Sequence, residues 1–297
     1  MMPLPYRHLT SVLLRREGDL FLFDAGEATQ ISIRRLNLRW KKITAIFISH
    51  MHADHVTGLP GILMLNSQVD REEPLYIFGP PKIAEYVEQS RRSLDMYINY
   101  EIIVREITEP AVVWEEKEFR IRSFGLRHTK MCFGYTMEEF QRPGMFFPEK
   151  ATALGVPRGP LWSRLQDGQS VTLPGDITIL PEQVMGPTRS GRKFSYVTDS
   201  LYFPQISNEV ANSDLLICEG MFEDALLATA MEKKHMTARQ AAQIAADAGI
   251  TKQLGLIHYS PRYADRELKL LLNEAREVFP ATFLTRDRMN LPIEFVD

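Results

Sequence analysis

Cysteine is nearly absent: Cys132 and Cys218 are the only two in 297 residues, too few for a disulfide framework. A reducing compartment follows, and the cytoplasm is the expectation. Long apolar runs are missing as well. None approaches the ~20 residues that a bilayer-spanning helix needs, and no signal-peptide pattern opens the chain, so no membrane partner is expected. Nor is there an excess of positive charge. Lys and Arg number 35 against 38 Asp and Glu, a net charge of -3, so a polyanion would have to be held by a local patch. No internal repeat at a short fixed period is visible. The hydrophobic fraction of 44% and charged fraction of 25% are those of an ordinary globular protein. The length allows one large core or two modest ones.

Histidine is placed very unevenly. The run Ser49-His50-Met51-His52-Ala53-Asp54-His55 carries four metal-type ligands in six residues. It follows the apolar strand-like segment Ile43 to Ile48 and precedes Gly58-Leu59-Pro60-Gly61. On an extended backbone His50 and His52 leave the same face, while Asp54 and His55 lie past the bend. One tetrahedral ion rarely takes four side chains from so short a loop, whereas two neighbouring ions could share them. A helix-capping Asp54 beside polar loop histidines is the bland alternative.

Further ligand types recur where strand-like runs end. His128 follows Ile121 to Phe124, Asp199 follows Phe194 to Thr198, and His258 follows Leu254 to Ile257. Strand ends along one sheet edge can assemble a site from distant sequence. Five His and two Asp meet the demand of two Zn²⁺ ions, three His on one, two His and Asp54 on the other, Asp199 between them. Imidazole and carboxylate without thiolate favour Zn, with Mn²⁺ as the alternative, over iron–sulfur chemistry. Asp24 ends the strand Leu20 to Phe23. It suits either a residue that orients a metal ligand or a cap for a helix over 29–36. His235 precedes the Ala-rich helix expected from Ala238 to Ala248, and Glu219 ends the strand Leu215 to Cys218. An oriented imidazole there would supply the proton that a leaving oxygen needs, and a surface or capping role is the alternative.

Residues 141–192 differ in texture. Seven prolines and seven glycines interrupt them, which resists long helices and predicts an extended arm inserted in a single domain spanning 1–297. Arg142, Lys150, Arg158, Arg164, Arg189 and Arg192 outnumber Glu149, Asp167, Asp176 and Glu182. With Phe146, Phe147 and Trp162 they make a candidate surface for a nucleic-acid backbone, a merely solvated insertion being the alternative.

The chain resembles the metallo-β-lactamase-fold hydrolases, and within them the short-form ribonuclease Z family of transfer-RNA 3′-processing endoribonucleases. The resemblance is carried by Phe23-Asp24-Ala25-Gly26-Glu27-Ala28-Thr29-Gln30, Ser49 to His55, and His128 with Gly134-Tyr135. It continues through Arg142-Pro143-Gly144, Leu154-Gly155-Val156-Pro157-Arg158-Gly159-Pro160, Gly186-Pro187 and Asp199. Glu219, His235-Met236-Thr237-Ala238 and His258-Tyr259-Ser260 with Arg262-Tyr263 close the set, in family order over nearly the whole chain.

The resemblance implies an α/β fold, a four-layer αβ/βα sandwich with a protruding exosite arm. It implies that His50, His52 and His128 hold one zinc, Asp54, His55 and His258 the other, with Asp199 bridging. Asp54 would handle the nucleophilic water, and Glu219 with His235 would form the acid pair. Arg7, Arg142, Arg158, Gly159, Pro160, Arg164 and Arg262 would bind precursor tRNA, the arm usually serving the other subunit of a homodimer. Cleavage would leave a 3′-hydroxyl on the tRNA. Two departures stand out. Only Pro3 and Arg7 fit the family's Pro-x-Lys-x-Arg loop, with Pro5 at the lysine, and the strand that usually precedes it is not in this sequence. A missing edge strand, or an upstream start codon left out of this sequence, would weaken both the sheet and the sensing of the RNA 3′ end. Cys218-Glu219-Gly220-Met221 stands where His-Glu-Ala-Thr is usual, keeping the acid in an altered setting. Competing functions are a phosphodiesterase of small or cyclic-nucleotide diesters and a non-catalytic, metal-bearing RNA-binding protein.

Overall fold

A computed structural model describes residues 2–250 and 252–295. They divide into two compact units, one built mainly from the chain up to Glu116, Arg120–Met137 and Lys193–Pro292, the other from Lys117–Phe119, Glu138–Arg192 and the segment from Ile293.

The first unit holds both large sheets. Strands β1 (Val12–Arg16), β2 (Asp19–Phe23), β3 (Ile43–Phe47), β4 (Leu75–Gly79) and β5 (Ile102–Glu106) form the first, in that order. The Glu17-Gly18 turn makes β1–β2 an antiparallel hairpin, and β2 to β5 are parallel. Parallel pairing needs crossovers, supplied here by helices α1 (Thr29–Arg35), α2 (Ala53–Val56), α3 (Leu59–Asn66) and α4 (Ile83–Ser93). The second sheet begins with β6 (Val112–Glu115), β7 (Phe119–Arg127) and β8 (Met131–Glu139). The second unit then contributes α5 (Pro148–Ala153), α6 (Pro160–Gln166), the hairpin β9 (Val171–Leu173) with β10 (Ile177–Ile179), and α7 (Pro181–Val184). The chain returns through β11 (Lys193–Val197), α8 (Gln205–Glu209), β12 (Leu215–Glu219), α9 (Leu227–Lys233), α10 (Ala238–Asp247), β13 (Gln253–Ile257), α11 (Leu268–Arg276) and β14 (Thr282–Leu284). The second sheet runs β14-β13-β12-β11-β8-β7-β6, with β11 to β14 parallel.

Alternation along the strands decides the layering. Leu20, Leu22, Ile46 and Ile77 face a core shared with Ile33, Ile62 and Val87 of the helices. On the other sheet Leu216, Cys218, Leu254 and Leu256 pack under Ala241, Ala245 and Leu271. The opposite faces meet through aromatics: Phe23 stacks on Phe47 at 5.3 Å and lies 5.5 Å from Phe194, and Phe47 lies 5.5 Å from Tyr135. The result is the expected order of helix, sheet, sheet and helix. Cys132 and Cys218 are both buried and free.

The arm sequence led to an expectation of extended chain, and the second unit corrects it. Ala151, Val156, Leu165, Val171, Ile179 and Val184 form a small core, joined by half-buried Phe146 and Trp162. The two rings pack at 5.2 Å, and the Trp162 indole N–H donates to the Val156 carbonyl at 3.0 Å. These faces are spent on internal packing, because a short Pro- and Gly-rich segment orders only if it buries apolar area of its own.

Two glycines set the floor under the metal loop. Gly58 donates to the Ala25 carbonyl at 2.8 Å, and a Cβ there would run into the Gly26 carbonyl oxygen. A Cβ on Gly26 would meet Asp54 O at 2.6 Å. The 24–27 turn therefore lies backbone to backbone against the start of α2 and α3. Gly58→Ala should cost about 2 kcal/mol or more of stability, the scale of overpacking, read as a lowered thermal midpoint.

Candidate metal centre

Strands β11, β12 and β13 run parallel, so they release Asp199, Glu219 and His258 at one sheet edge. His128 leaves β7 and the 49–55 loop leaves β3. Although up to 208 residues apart in sequence, these side chains converge into overlapping ligand groups, one of which joins Asp199 and His258 to Glu219 and His235. Donor atoms of His50, His52, His128 and Asp199 all lie within 4.8 Å of one another, as do those of Asp54, His55 and His258. The Asp199 carboxylate faces both. Its Oδ2 is 3.6 Å from His50 Nε2 and 3.7 Å from His128 Nε2, and its Oδ1 is 3.4 Å from His55 Nε2 and 3.3 Å from His258 Nε2.

The hydrogen bonds behind the histidines fix which nitrogens carry protons. Asp24 accepts from His55 Nδ1 at 2.7 Å, so the Nε2 of a neutral His55 presents a lone pair. The Ser49 hydroxyl donates to Asp24 at 2.8 Å and therefore accepts from His50 Nδ1 at 3.0 Å. The Lys234 carbonyl accepts from His128 Nδ1 at 2.9 Å. His50, His55 and His128 thus all aim Nε2 inward. His50 Nε2 lies 2.9 Å from His52 Nδ1, and His55 Nε2 lies 3.3 Å from His258 Nε2. Ring nitrogens brought this close, beside buried carboxylates, fit cations between them.

The electrostatics agree for His50 and His128. At His55, by contrast, burial is outweighed by the Asp199 and Asp24 carboxylates, which hold its pKa well above the usual value, so an incoming cation would have to displace the Nε2 proton. Burial, with His55 alongside, holds the His50 imidazole far below its usual pKa, and burial brings His128 down to about 4. Both stay neutral, as ligands must. Burial opposes ionisation of Asp199 and Asp54, but the surrounding histidines outweigh it and keep both carboxyls well below the usual range. Their negative charge is available to a metal.

Beside the ligands sits a second, different constellation. Glu219 is fully buried, accepts the Ser200 N–H at 2.7 Å and pairs with His235 Nδ1 at 2.9 Å. Burial opposes a charge on His235, yet the Glu219 carboxylate prevails and lifts its pKa to about 9. His235 therefore favours its protonated form beside the cluster, its Nδ1 also 3.9 Å from Asp199 Oδ2. The capping alternative fails, since Thr237 caps α10 through the Gln240 N–H. The capping alternatives for Asp24 and Asp54 fail as well. Ala28 precedes α1 and no side chain caps it, and Asp54 lies inside α2.

Some functional residues left no sequence signal. Tyr196 donates its hydroxyl to Asp24 at 2.7 Å, and Lys234 holds His128 through a main-chain carbonyl. Asp24 and His258 take left-handed conformations, φ 57° and 61°, at a cost of about 1–2 kcal/mol each. Only the assembled site compensates that.

The residues expected to meet RNA fall in both units. Arg7 donates to the Tyr263 carbonyl at 3.0 Å, bracing the loop after His258, and Arg262 is exposed on that loop with its guanidinium 5.1 Å from the Phe222 ring centre. In the second unit Arg142 lies over Phe295 at 3.4 Å, and Arg164 donates to the Ser170 carbonyl at 3.2 Å. Gly159 (φ 139°) and Pro160 open α6, and the exposed Arg158 makes no pairing among the described residues.

Comparison with known proteins agrees with this architecture. The description "Beta-lactamase superfamily domain" matches residues 159–259, and "Anti-Pycsar protein Apyc1" matches residues 6–139. A ribonuclease Z of Treponema denticola is 68% identical over 297 residues, covering 100% of this chain and 96% of its own. The chain belongs to the ribonuclease Z family. A Treponema pallidum ribonuclease Z is 64% identical, covering 99% of this chain and 95% of its own. The human short-form tRNase Z crystal structure superposes with a TM-score of 0.72 at 23% identity, over 99% of this chain and 96% of that one, and so shares the fold. The metallo-β-lactamase fold and the family make this chain a metal-dependent hydrolase of the ribonuclease Z type. No helix among the described residues is long and apolar enough to cross a membrane.

Asp24→Asn keeps the size of the side chain but removes the charge that holds His55. Metal affinity should fall by about 10–100-fold, the usual penalty for losing a partner behind a ligand, measured by competition with a chromophoric chelator.

Proposed function

We propose that the chain removes the 3′ trailer of precursor tRNA, using two Zn²⁺ ions per subunit, Mn²⁺ being able to replace them. His50, His52 and His128 would hold one ion, Asp54, His55 and His258 the other, with Asp199 shared. When bound, the ions would acidify a water and neutralise charge building on the phosphodiester. The observation that carries this reading is the pairing of inward-aimed, tautomer-fixed ligands with a separate Glu219–His235 proton carrier.

The chain's own groups then divide the proton traffic. Asp54 takes the proton of the attacking water and fixes its direction. As the P–O3′ bond breaks, His235 delivers its Nε2 proton to the departing O3′. Glu219 on Nδ1 stabilises the cation beforehand and fixes the ring. The products are a 3′-hydroxyl on the tRNA and a 5′-phosphate on the trailer. The second unit, with Arg142, Arg158, Gly159, Pro160 and Arg164, would grip the tRNA body, in a homodimer for the opposite subunit. Arg7 and Arg262 would meet the RNA near the reacting end. The cytoplasm, where precursor tRNA is made, is the fitting location.

His235→Ala should lower kcat for a precursor tRNA by about a hundredfold or more with zinc content unchanged, as expected of a general acid. Loss of zinc in that variant would make His235 a ligand instead. Deleting residues 150–176 should abolish tRNA cleavage while hydrolysis of bis(p-nitrophenyl) phosphate continues. Equal loss on both substrates would deny the arm a substrate-specific role. Undiminished tRNA cleavage by chelated, zinc-free protein would refute the mechanism.

A further inference from the structure

Strand β14 extends the row of parallel strands that supplies the metal site. It pairs with β13, Leu284 opposite Leu256, so residues 285–289 leave the sheet at the edge where β13 releases His258. The two loops are tied together: the Thr285 N–H donates to the Tyr259 hydroxyl at 2.9 Å, one residue after His258. Against this loop lies a cavity of about 490 Å³, lined among others by Arg276, Phe283, Arg286, Arg288 and Met289. That size is within the range of small-ligand sites.

The charges around it are unbalanced. Asp287 also lines the cavity, but it accepts the His8 N–H at 3.0 Å and is committed to holding the N-terminal segment. Its one arginine neighbour is Arg288, with Nη1 3.9 Å away, and that buried nitrogen makes no hydrogen bond. Arg276 is anchored by Nε to the Thr282 carbonyl at 2.8 Å. Neither Arg276 nor Arg286 forms an ion pair among the described residues. Three guanidinium groups, those of Arg276 and Arg286 exposed, thus line one cavity against the single Asp287 carboxylate, and their forked donors suit phosphate. The floor is fixed, because Gly255 leaves room for the Phe283 ring, which a Cβ there would meet at 2.8 Å.

We propose that this cavity is a second phosphate subsite that seats one nucleotide, its phosphate on Arg286 and Arg288 and its base against Phe283 and Met289. The nucleotide can belong to the RNA strand that crosses the metal centre, which rests on the tRNA reading above, or be free in solution. The shared sheet edge favours the strand.

The test uses the zinc-loaded, full-length protein and the R286A/R288A variant, with melting temperatures confirming that both fold. Calorimetry with adenosine 5′-monophosphate should show affinity at least about tenfold weaker in the double variant, the scale of losing charge-assisted hydrogen bonds. The site should survive in His52→Ala, which separates it from the metal centre. Equal affinity in the wild type and the double variant, or no binding by His52→Ala, overturns the subsite. Precursor tRNAs with one-nucleotide and six-nucleotide trailers then separate the sources. A kcat/KM loss of about tenfold confined to the long trailer assigns the subsite to the strand, and unchanged cleavage of both, with weakened nucleotide binding, assigns it to a free nucleotide. An equal loss on both trailers marks a structural role and overturns the proposal. If the wild type cleaves neither RNA, the tRNA reading falls and the nucleotide titration still decides this one.

Discussion

The whole centre stands on one buried carboxylate. Asp24 is fully enclosed, where an unpaired charge would be prohibitive, and four donors satisfy it. They are the Ser49 N–H at 2.7 Å, the Ser49 hydroxyl at 2.8 Å, His55 Nδ1 at 2.7 Å and the Tyr196 hydroxyl at 2.7 Å. Those donors come from the crossover after β3 and from β11 of the other sheet. One anion therefore joins the two sheets of the first unit, orients His55 directly and orients His50 through Ser49. The left-handed backbone at Asp24 is the geometric cost of pointing it there.

With that anion in place the histidines have little freedom. His50, His55 and His128 are each held from behind through Nδ1, and their Nε2 atoms face the other rings. Such an array is poor as a packed interior and good as a cation cage, since neutral imidazoles offer one another no favourable contact through lone pairs. Stability and function pull apart here, as they do at assembled sites generally.

The legible part of this centre was its periodicity-independent chemistry. His50, His52, Asp54 and His55 crowd one loop, and His128, Asp199 and His258 each follow an apolar run, so residue type and position together exposed side chains that the fold brings within reach of one another. The layered fold was legible for the same reason, because strands and helices alternate with loops at the right lengths. What sequence could not show is contact made by groups without chemical individuality. The Lys234 carbonyl behind His128 is a backbone atom, and the Tyr196 hydroxyl looks like any core tyrosine. The arm's core escaped notice because Pro and Gly spacing masks short helices, and Phe146 and Trp162 look the same as stacking platforms and as packing.

The segment joining α9 to α10 unites two roles that the residue types keep separate. Lys234, left-handed at φ 56°, turns its carbonyl onto His128 Nδ1. The next residue, His235, presents the proton carrier, held by Glu219 from β12. The proposed metal ligand and the proposed acid are thus set by consecutive residues of a single turn. Any displacement of that turn would move both, so in the proposed mechanism the spacing between the phosphorus and the proton source would be set by backbone rather than by side-chain flexibility. That is the kind of positioning that proximity catalysis requires, where misplacement by about 1 Å costs about a hundredfold.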